Sequence, residues 1–367
     1  VTANSATMSE MRERVAVRPR TGLRRGLFLV LLSVLILAFL TSLSVGSVNI
    51  PLSQVARILL GGQAERASWD SIIWLFRLPK AITALLAGAA LGIAGLQMQT
   101  LFRNPLADPY ILGISSGASL GVALVVLGFA GGHVGSTLLE GLGLAGNISV
   151  VAAASLGSAL VILIVMAASQ RVRTMTLLIL GLMLGYAVSG LVTILLHFSV
   201  AERVQVYVAW TFGSFAGVTW SELWVFIPAA LGALLISGLL IKPLNALLLG
   251  EVYAQSLGLN VKQARFWIIV SASISTGVVT AFCGPIGFLG VAIPHLCRHL
   301  FGVSDHRDLV PMVVIVGSIV ALLADLIAQV PGSQLTLPLN AITGLIGAPV
   351  VVWAILSRGS LRRAFEL

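Results

Sequence analysis

The chain has 367 residues, of which 58% are hydrophobic and only 10% charged, with a formal charge of +9 and a mean hydropathy of +1.04. Soluble globular domains are about one-quarter charged, so water is excluded as the solvent for most of this chain. The basic residues form short clusters between apolar runs, with no stripe of interleaved aromatics, which argues against a nucleic-acid partner and for membrane topology. The fold class expected is all-α, a polytopic helical bundle in lipid.

Arg12, Arg14, Arg18, Arg20, Arg24 and Arg25 precede the first apolar run, so residues 1–26 read as a basic cytoplasmic tail. The run from Leu27 to Val45 is too long for a signal-peptide core and lacks a clear small-residue cleavage site, so it reads as an uncleaved first span. Apolar stretches of about 20 residues suit about 30 Å of hydrocarbon. Ten are expected, at 27–46, 81–101, 110–130, 148–168, 175–197, 223–241, 266–283, 286–303, 310–330 and 339–356, followed by a cytoplasmic tail at 357–367. Threaded from a cytoplasmic N-terminus, they put 17 of the 22 Lys and Arg inside and 5 (Arg57, Arg66, Arg77, Lys80, Arg203) outside. That asymmetry supports both count and direction. The eighth span carries Gly284, Pro285, Gly287, Gly290 and Pro294 and is expected to be broken, which a membrane tolerates only where the freed backbone is buried in protein or lines a wet cavity.

Small residues recur four apart at Gly88 and Gly92, at Gly113, Gly117 and Gly121, and at Gly181 and Gly185, a spacing that lets helix backbones approach closely. Cys283 and Cys297 form neither a disulfide framework nor a metal site and read as packing residues. No H-E-x-x-H motif occurs, so an intramembrane enzyme is a weak reading. His295, in Ile-Pro-His-Leu, reads as packed or capping. Asp325 is the one carboxylate within an apolar run; with Gln329 near it, a helix-terminal hydrogen bond is favoured over an ion-coupling site. An ion-coupled secondary transporter is thus the alternative rather than the leading transporter reading.

No Gly-Lys pair occurs, so the phosphate-cradling loop of an ATPase is missing and ATP could drive this chain only through another subunit. The cytoplasmic connection from Pro243 to Arg265 reads as short helix, turn, short helix, a surface on which such a subunit could dock. Outside, Trp69 and Trp74 precede Arg77-Leu78-Pro79-Lys80, whose basic pair is either an interfacial snorkel or a patch that meets acidic groups.

Several motifs then stand in a familiar order: Arg77-Leu78-Pro79-Lys80, Gly88-Ala89-Ala90-Leu91 running on to Gln97, and Arg103-Asn104-Pro105-Leu106-Ala107-Asp108-Pro109, then Leu112-Gly113-Ile114-Ser115-Ser116-Gly117-Ala118. Leu249-Gly250-Glu251, Gly284-Pro285-Ile286-Gly287-Phe288, Ile293-Pro294-His295 and Gly347-Ala348-Pro349 complete the series. Over about residues 30 to 356 the chain resembles the FecCD-type permeases, membrane subunits of type II ABC importers for vitamin B12, ferric siderophores and haem. The resemblance implies a ten-helix permease domain at 27–356 with coupling helices within 243–265, and no enzymatic site. It implies a cytoplasmic gate at Asn104, Leu106, Thr174 and Met175, and an ATPase contact at Gly250, Glu251, Ala254, Leu257 and Gly258. Docking of a periplasmic binding protein falls to Arg77, Lys80 and Gln329, the last standing where some relatives carry arginine. It further implies a homodimer in the bacterial inner membrane with both termini cytoplasmic, and two ATPase subunits. The chain itself holds no cofactor or metal; ATP and Mg belong to the ATPase. The overall likeness favours haem as cargo.

Overall fold

A peptide group in hydrocarbon has no water to bond, so a chain this apolar can cross lipid only as helices that satisfy their own backbone. The computed structural model describes residues 21–128, 144–172, 174–330 and 335–356, and every regular element among them is helical. In chain order these are α1 (Thr21–Ser44), α2 (Leu52–Leu59), α3 (Ala67–Ser71), a π-helical stretch Ile72–Arg77 running into α4 (Leu78–Leu101), and a 3-10 turn Pro109–Leu112 leading to α5 (Ile114–Ala123). There follow α6 (Leu144–Ser169), α7 (Thr174–His197), α8 (Ala201–Thr211), α9 (Trp220–Leu239), α10 (Ile241–Leu248), α11 (Glu251–Ser256), α12 (Val261–Cys283), α13 (Leu289–Phe301), α14 (His306–Ala328) and α15 (Leu339–Leu356).

Among the described residues, seven helices are long and apolar enough to cross a membrane, and Ile114–Leu127 and Leu339–Trp353 are shorter apolar segments. With α13, each of the ten expected spans has a helical counterpart. Boundaries differ. Residues 21–26, read as tail, are the first turns of α1, and the second span is prolonged by α3 and the π-helical stretch into one apolar segment from Ala67 to Leu101. The connections outside the spans also fold, as α2 and α8. The remainder of the N-terminal tail, the C-terminal tail 357–367 and the last residues of the third expected span lie outside the described residues.

The bundle is built around α4, which is buried along nearly its whole length and packs against α12, α13 and α14. Its Ala/Gly-rich sequence is the cause. A Cβ on Gly88 would lie 2.1 Å from the Gly317 carbonyl oxygen of α14, and one on Gly317 would lie 2.5 Å from that of Gly88. Gly95 meets the backbone of Gly290 in α13 in the same way, and Gly117 of α5 meets Gly157 of α6. In lipid, where apolar side chains gain nothing by leaving solvent, such backbone contact is a principal source of association.

The interruption in the eighth span precedes α13. Gly284 (φ +74°) and Phe288 (φ +68°) turn the chain between α12 and a helix of only 13 residues that keeps Pro294 inside it. The freed backbone is met by protein. The Ile286 amide donates to the Tyr110 hydroxyl at 3.0 Å, and the Gly287 amide to Asn340 Oδ1 at 2.9 Å, while Asn340 Nδ2 donates to the carbonyls of Pro285 (2.6 Å) and Thr211 (2.9 Å). One asparagine thereby ties α8, the 284–288 turn and the start of α15 together.

Gly88→Val is expected to destabilise the purified chain by about 3 kcal/mol through overpacking at the α4–α14 crossing. Gly238→Ala, whose new methyl meets nothing within 4 Å, should leave thermal unfolding in detergent, followed by tryptophan fluorescence, at or slightly above the parent value.

Candidate gate and coupling cleft

At one end of the bundle α4 stops at Phe102, and the chain reverses through Arg103, a non-glycine residue at φ +47°. Asn104 holds the turn, its Oδ1 accepting from the Leu106 amide at 3.0 Å. His295 of α13 reaches the same turn and donates from Nε2 to the Pro105 carbonyl at 2.6 Å, so it clamps the 103–106 loop from the neighbouring helix. Leu106 is exposed.

The connection between α6 and α7 lies at the same end. Arg265, near the start of α12, donates from Nη1 to the Val172 carbonyl at 3.0 Å and from Nη2 to Glu251 Oε1 at 3.1 Å. Thr174 donates its hydroxyl to the same Glu251 oxygen at 2.5 Å. Met175 beside it is 61% exposed. Between α9 and α12, residues 241–256 form α10 and α11, joined through Gly250 at φ +102°. Leu244, Leu247 and Ala254 are buried in the core and anchor this pair, whereas Leu249, Val252, Tyr253 and Leu257 present an uncovered apolar face.

Both regions line one cleft of about 1020 Å³, bounded by Leu101, Phe102, Arg103, Thr174, Met175, Gly250 and Glu251 among others. The residues assigned to gate and ATPase contact from sequence are therefore brought together only in part. Thr174, Met175, Gly250 and Glu251 share the cleft; Asn104 and Leu106 lie just beyond it, with Arg103 in their place. Ala254 corrects its sequence reading as an ATPase contact, because it is fully buried and holds α11 down from within. Arg103 and His295 were given no role here from sequence, and Arg265 only bounded the 243–265 connection. Nothing local marks the bonds of Arg265 and His295, whose partners are 14 to 190 residues away in the chain.

A second network fastens α10 to the bundle. The Asn245 side chain accepts from the His306 amide (2.9 Å) and Nδ1 (2.8 Å) and donates to Asp305 (2.7 Å), and His306 Nε2 lies 3.0 Å from the Thr100 hydroxyl of α4. For the Asp305 carboxyl, slight burial works upward, but hydrogen bonds from the Arg307 amide and Asn245 and the nearby positive charge outweigh it and hold it below its ordinary range.

At the opposite end of α4, Arg77 turns inward. It is buried, and its guanidinium donates to the carbonyls of Leu43 (2.7 Å), Ser44 (2.8 Å) and Val48, so it caps the last turn of α1. Capping leaves little of Arg77 for a docking partner, a task that sequence alone could not distinguish from an interfacial one. Lys80 pairs with Asp325 at 3.0 Å, and Gln329 donates to the same carboxylate oxygen at 2.8 Å. The three residues read as a docking patch thus make bonds within the subunit. Among the described residues, no three His, Cys, Asp or Glu side chains gather as metal ligands would.

The described residues form a multi-pass helical bundle with a folded two-helix piece at one end, the build of a membrane transport subunit. Residues 34–357 match the model of the FecCD transport family, and the chain belongs to that family, as a permease of the type II ABC importer class. It is 40% identical to the vitamin B12 import system permease protein BtuC of Klebsiella pneumoniae subsp. pneumoniae, over 81% of this chain and 86% of that one. With the protein of the same name from Escherichia coli O6:H1 it shares 35% identity over 90% and 95% of the two chains. A solved structure of an inward-facing ABC transporter of the metal-chelate type superposes with a TM-score of 0.78 at 28% identity, covering 91% of this chain and 99% of that one. Membership removes the ion-coupled secondary carrier as an alternative. These named relatives are vitamin B12 permeases, not haem permeases, which corrects the overall likeness to haem permeases expected from the sequence.

Arg77→Met is expected to lower stability by about 2 to 4 kcal/mol, because one buried and two half-buried carbonyl bonds lose their charged donor. A residue that served docking alone would leave the melting temperature unchanged, so thermal unfolding of the isolated permease separates the two roles.

Proposed function

We propose that this chain is the membrane subunit of an ATP-driven importer for cobalamin or a metal chelate of similar size, working as a homodimer in the bacterial inner membrane with both termini in the cytoplasm. The observation that carries the reading is the shared cleft, where the 101–103 and 174–175 segments meet the exposed apolar edge of α10 and α11. Two ATPase subunits, which hold the ATP and Mg, engage Leu249, Val252, Tyr253 and Leu257 at that edge, with Gly250 and Gly258 setting its turns. Closure of the ATPase pair on nucleotide displaces the two helix pairs of the dimer, and the loops at Asn104–Leu106 and Thr174–Met175 open or seal the cytoplasmic mouth in response. A seal of apolar and amide groups keeps out ions without binding a bulky cargo tightly. A periplasmic binding protein meets the other end, where acidic side chains on it compete with Asp325 for Lys80 beside Gln329. Identity of 35 to 40% with vitamin B12 permeases over most of the chain supports cobalamin as the cargo.

The test is uptake of cyanocobalamin into proteoliposomes containing the permease, its cognate ATPase and the binding protein. Uptake should need ATP and stop when the catalytic carboxylate of the ATPase is replaced. Uptake that survives this replacement and instead collapses with an ion gradient would sink the importer reading, and uptake of haem but not cyanocobalamin would sink the cargo.

A further inference from the structure

Glu251 begins α11, the element that faces the proposed ATPase, and its carboxylate is expected from sequence to point at that partner. The structure turns it the other way. Glu251 Oε1 receives the Thr174 hydroxyl at 2.5 Å and the Arg265 guanidinium at 3.1 Å, and the second arm of Arg265 holds the Val172 carbonyl at 3.0 Å. The two sides of the 172–174 connection are thus bound to one ion pair, whose acid belongs to α11 and whose base belongs to α12. The Arg265 side chain is 9% exposed and that of Glu251 39%.

We propose that Glu251, Thr174 and Arg265 form a latch that makes the α10–α11 pair carry the start of α7 with it, so that displacement of α11 becomes displacement of Thr174 and Met175. Glu251 and Arg265 are positioning residues in this scheme; they act on the gate through Thr174. The inference rests on the gate and ATPase reading above.

The physical reason is the cost of separation. Arg265 is nearly enclosed and its Nε already lacks a hydrogen-bond partner, so removing Glu251 would leave a guanidinium in low dielectric with no carboxylate against it. Breaking a pair whose base is enclosed costs more than moving it intact, because the guanidinium would lose its carboxylate while the half-exposed acid could turn to solvent. A push on α11 therefore drags the acid, the base and the loop together. The pivot is Gly250, whose φ of +102° lets the chain swing between α10 and α11, and a Cβ there would lie 3.3 Å from Arg103 Nη1. The same hinge thus touches the loop that carries Asn104 and Leu106, and one motion reaches both halves of the gate.

The experiment uses the assembled permease–ATPase complex carrying Met175→Cys, labelled with a maleimide with and without a non-hydrolysable ATP analogue. Cys283 and Cys297 are buried and leave the new thiol as the reactive one among the described cysteines. In the parent the nucleotide should change the labelling rate. Thr174→Val, which keeps shape and loses the hydroxyl, and Glu251→Gln should each shrink that change about ten-fold, the loss of one charge-assisted hydrogen bond. Thr174→Ser should retain it, and the exchange Glu251→Arg with Arg265→Glu should restore part of it. Co-purification of the ATPase is measured for every variant. Parent-like labelling in Thr174→Val and Glu251→Gln would overturn the latch. So would a Glu251→Gln permease that loses its ATPase while Thr174→Val responds normally, because Glu251 would then be a contact and not a link. If labelling of the parent ignores nucleotide, the gate reading itself fails and the latch falls with it.

Discussion

The peptide group that finds no solvent in hydrocarbon is the constraint on which this molecule depends. It forces the chain into helices, and it forces every departure from a helix to be met by a neighbour. Among the described residues, three such departures show their partners: Tyr110 and Asn340 for the 284–288 turn, Arg77 for the end of α1, and Asn104 and His295 for the turn after α4. These are the places where helices are tied to one another by polar groups. They are also where the two ends of the proposed pathway lie.

Between the ends the molecule is held by close approach. Glycines on α4 lie against α13 and α14 with backbone almost touching backbone, and α5 meets α6 likewise. A core built in this way has little freedom to deform, because interiors at crystal-like density resist strain. The proposed cycle therefore places movement outside that core, in α10 and α11. They are anchored by Leu244, Leu247 and Ala254, fastened through Asn245 and His306, and joined at Gly250, whose φ is positive.

Family membership gives this division a purpose. An importer of large chelates needs a wall that keeps its shape and a mouth that does not. The exposed apolar edge at Leu249, Val252, Tyr253 and Leu257 is the kind of patch that marks an interaction surface, and the proposed function gives it to the ATPase, since the chain carries no phosphate-binding loop of its own.

Much was legible in the amino-acid order. Hydrophobic length located the ten helical segments, the 17-to-5 distribution of basic residues agreed with their number, and the glycine spacings marked where backbones would meet, because each of these is a local property or a sum over local properties. The motif series supplied the family. What the order of residues could not supply was the partner of each polar side chain. Arg77 and Glu251 were both read as facing other proteins, and both turn inward, to the end of α1 and to Thr174 with Arg265; His295 was read as packed or capping without a named acceptor. Charge says only that a group needs a counterpart. Which counterpart it takes is decided when residues as many as 206 positions apart are brought to 3.0 Å, and that is a property of the packed helices alone.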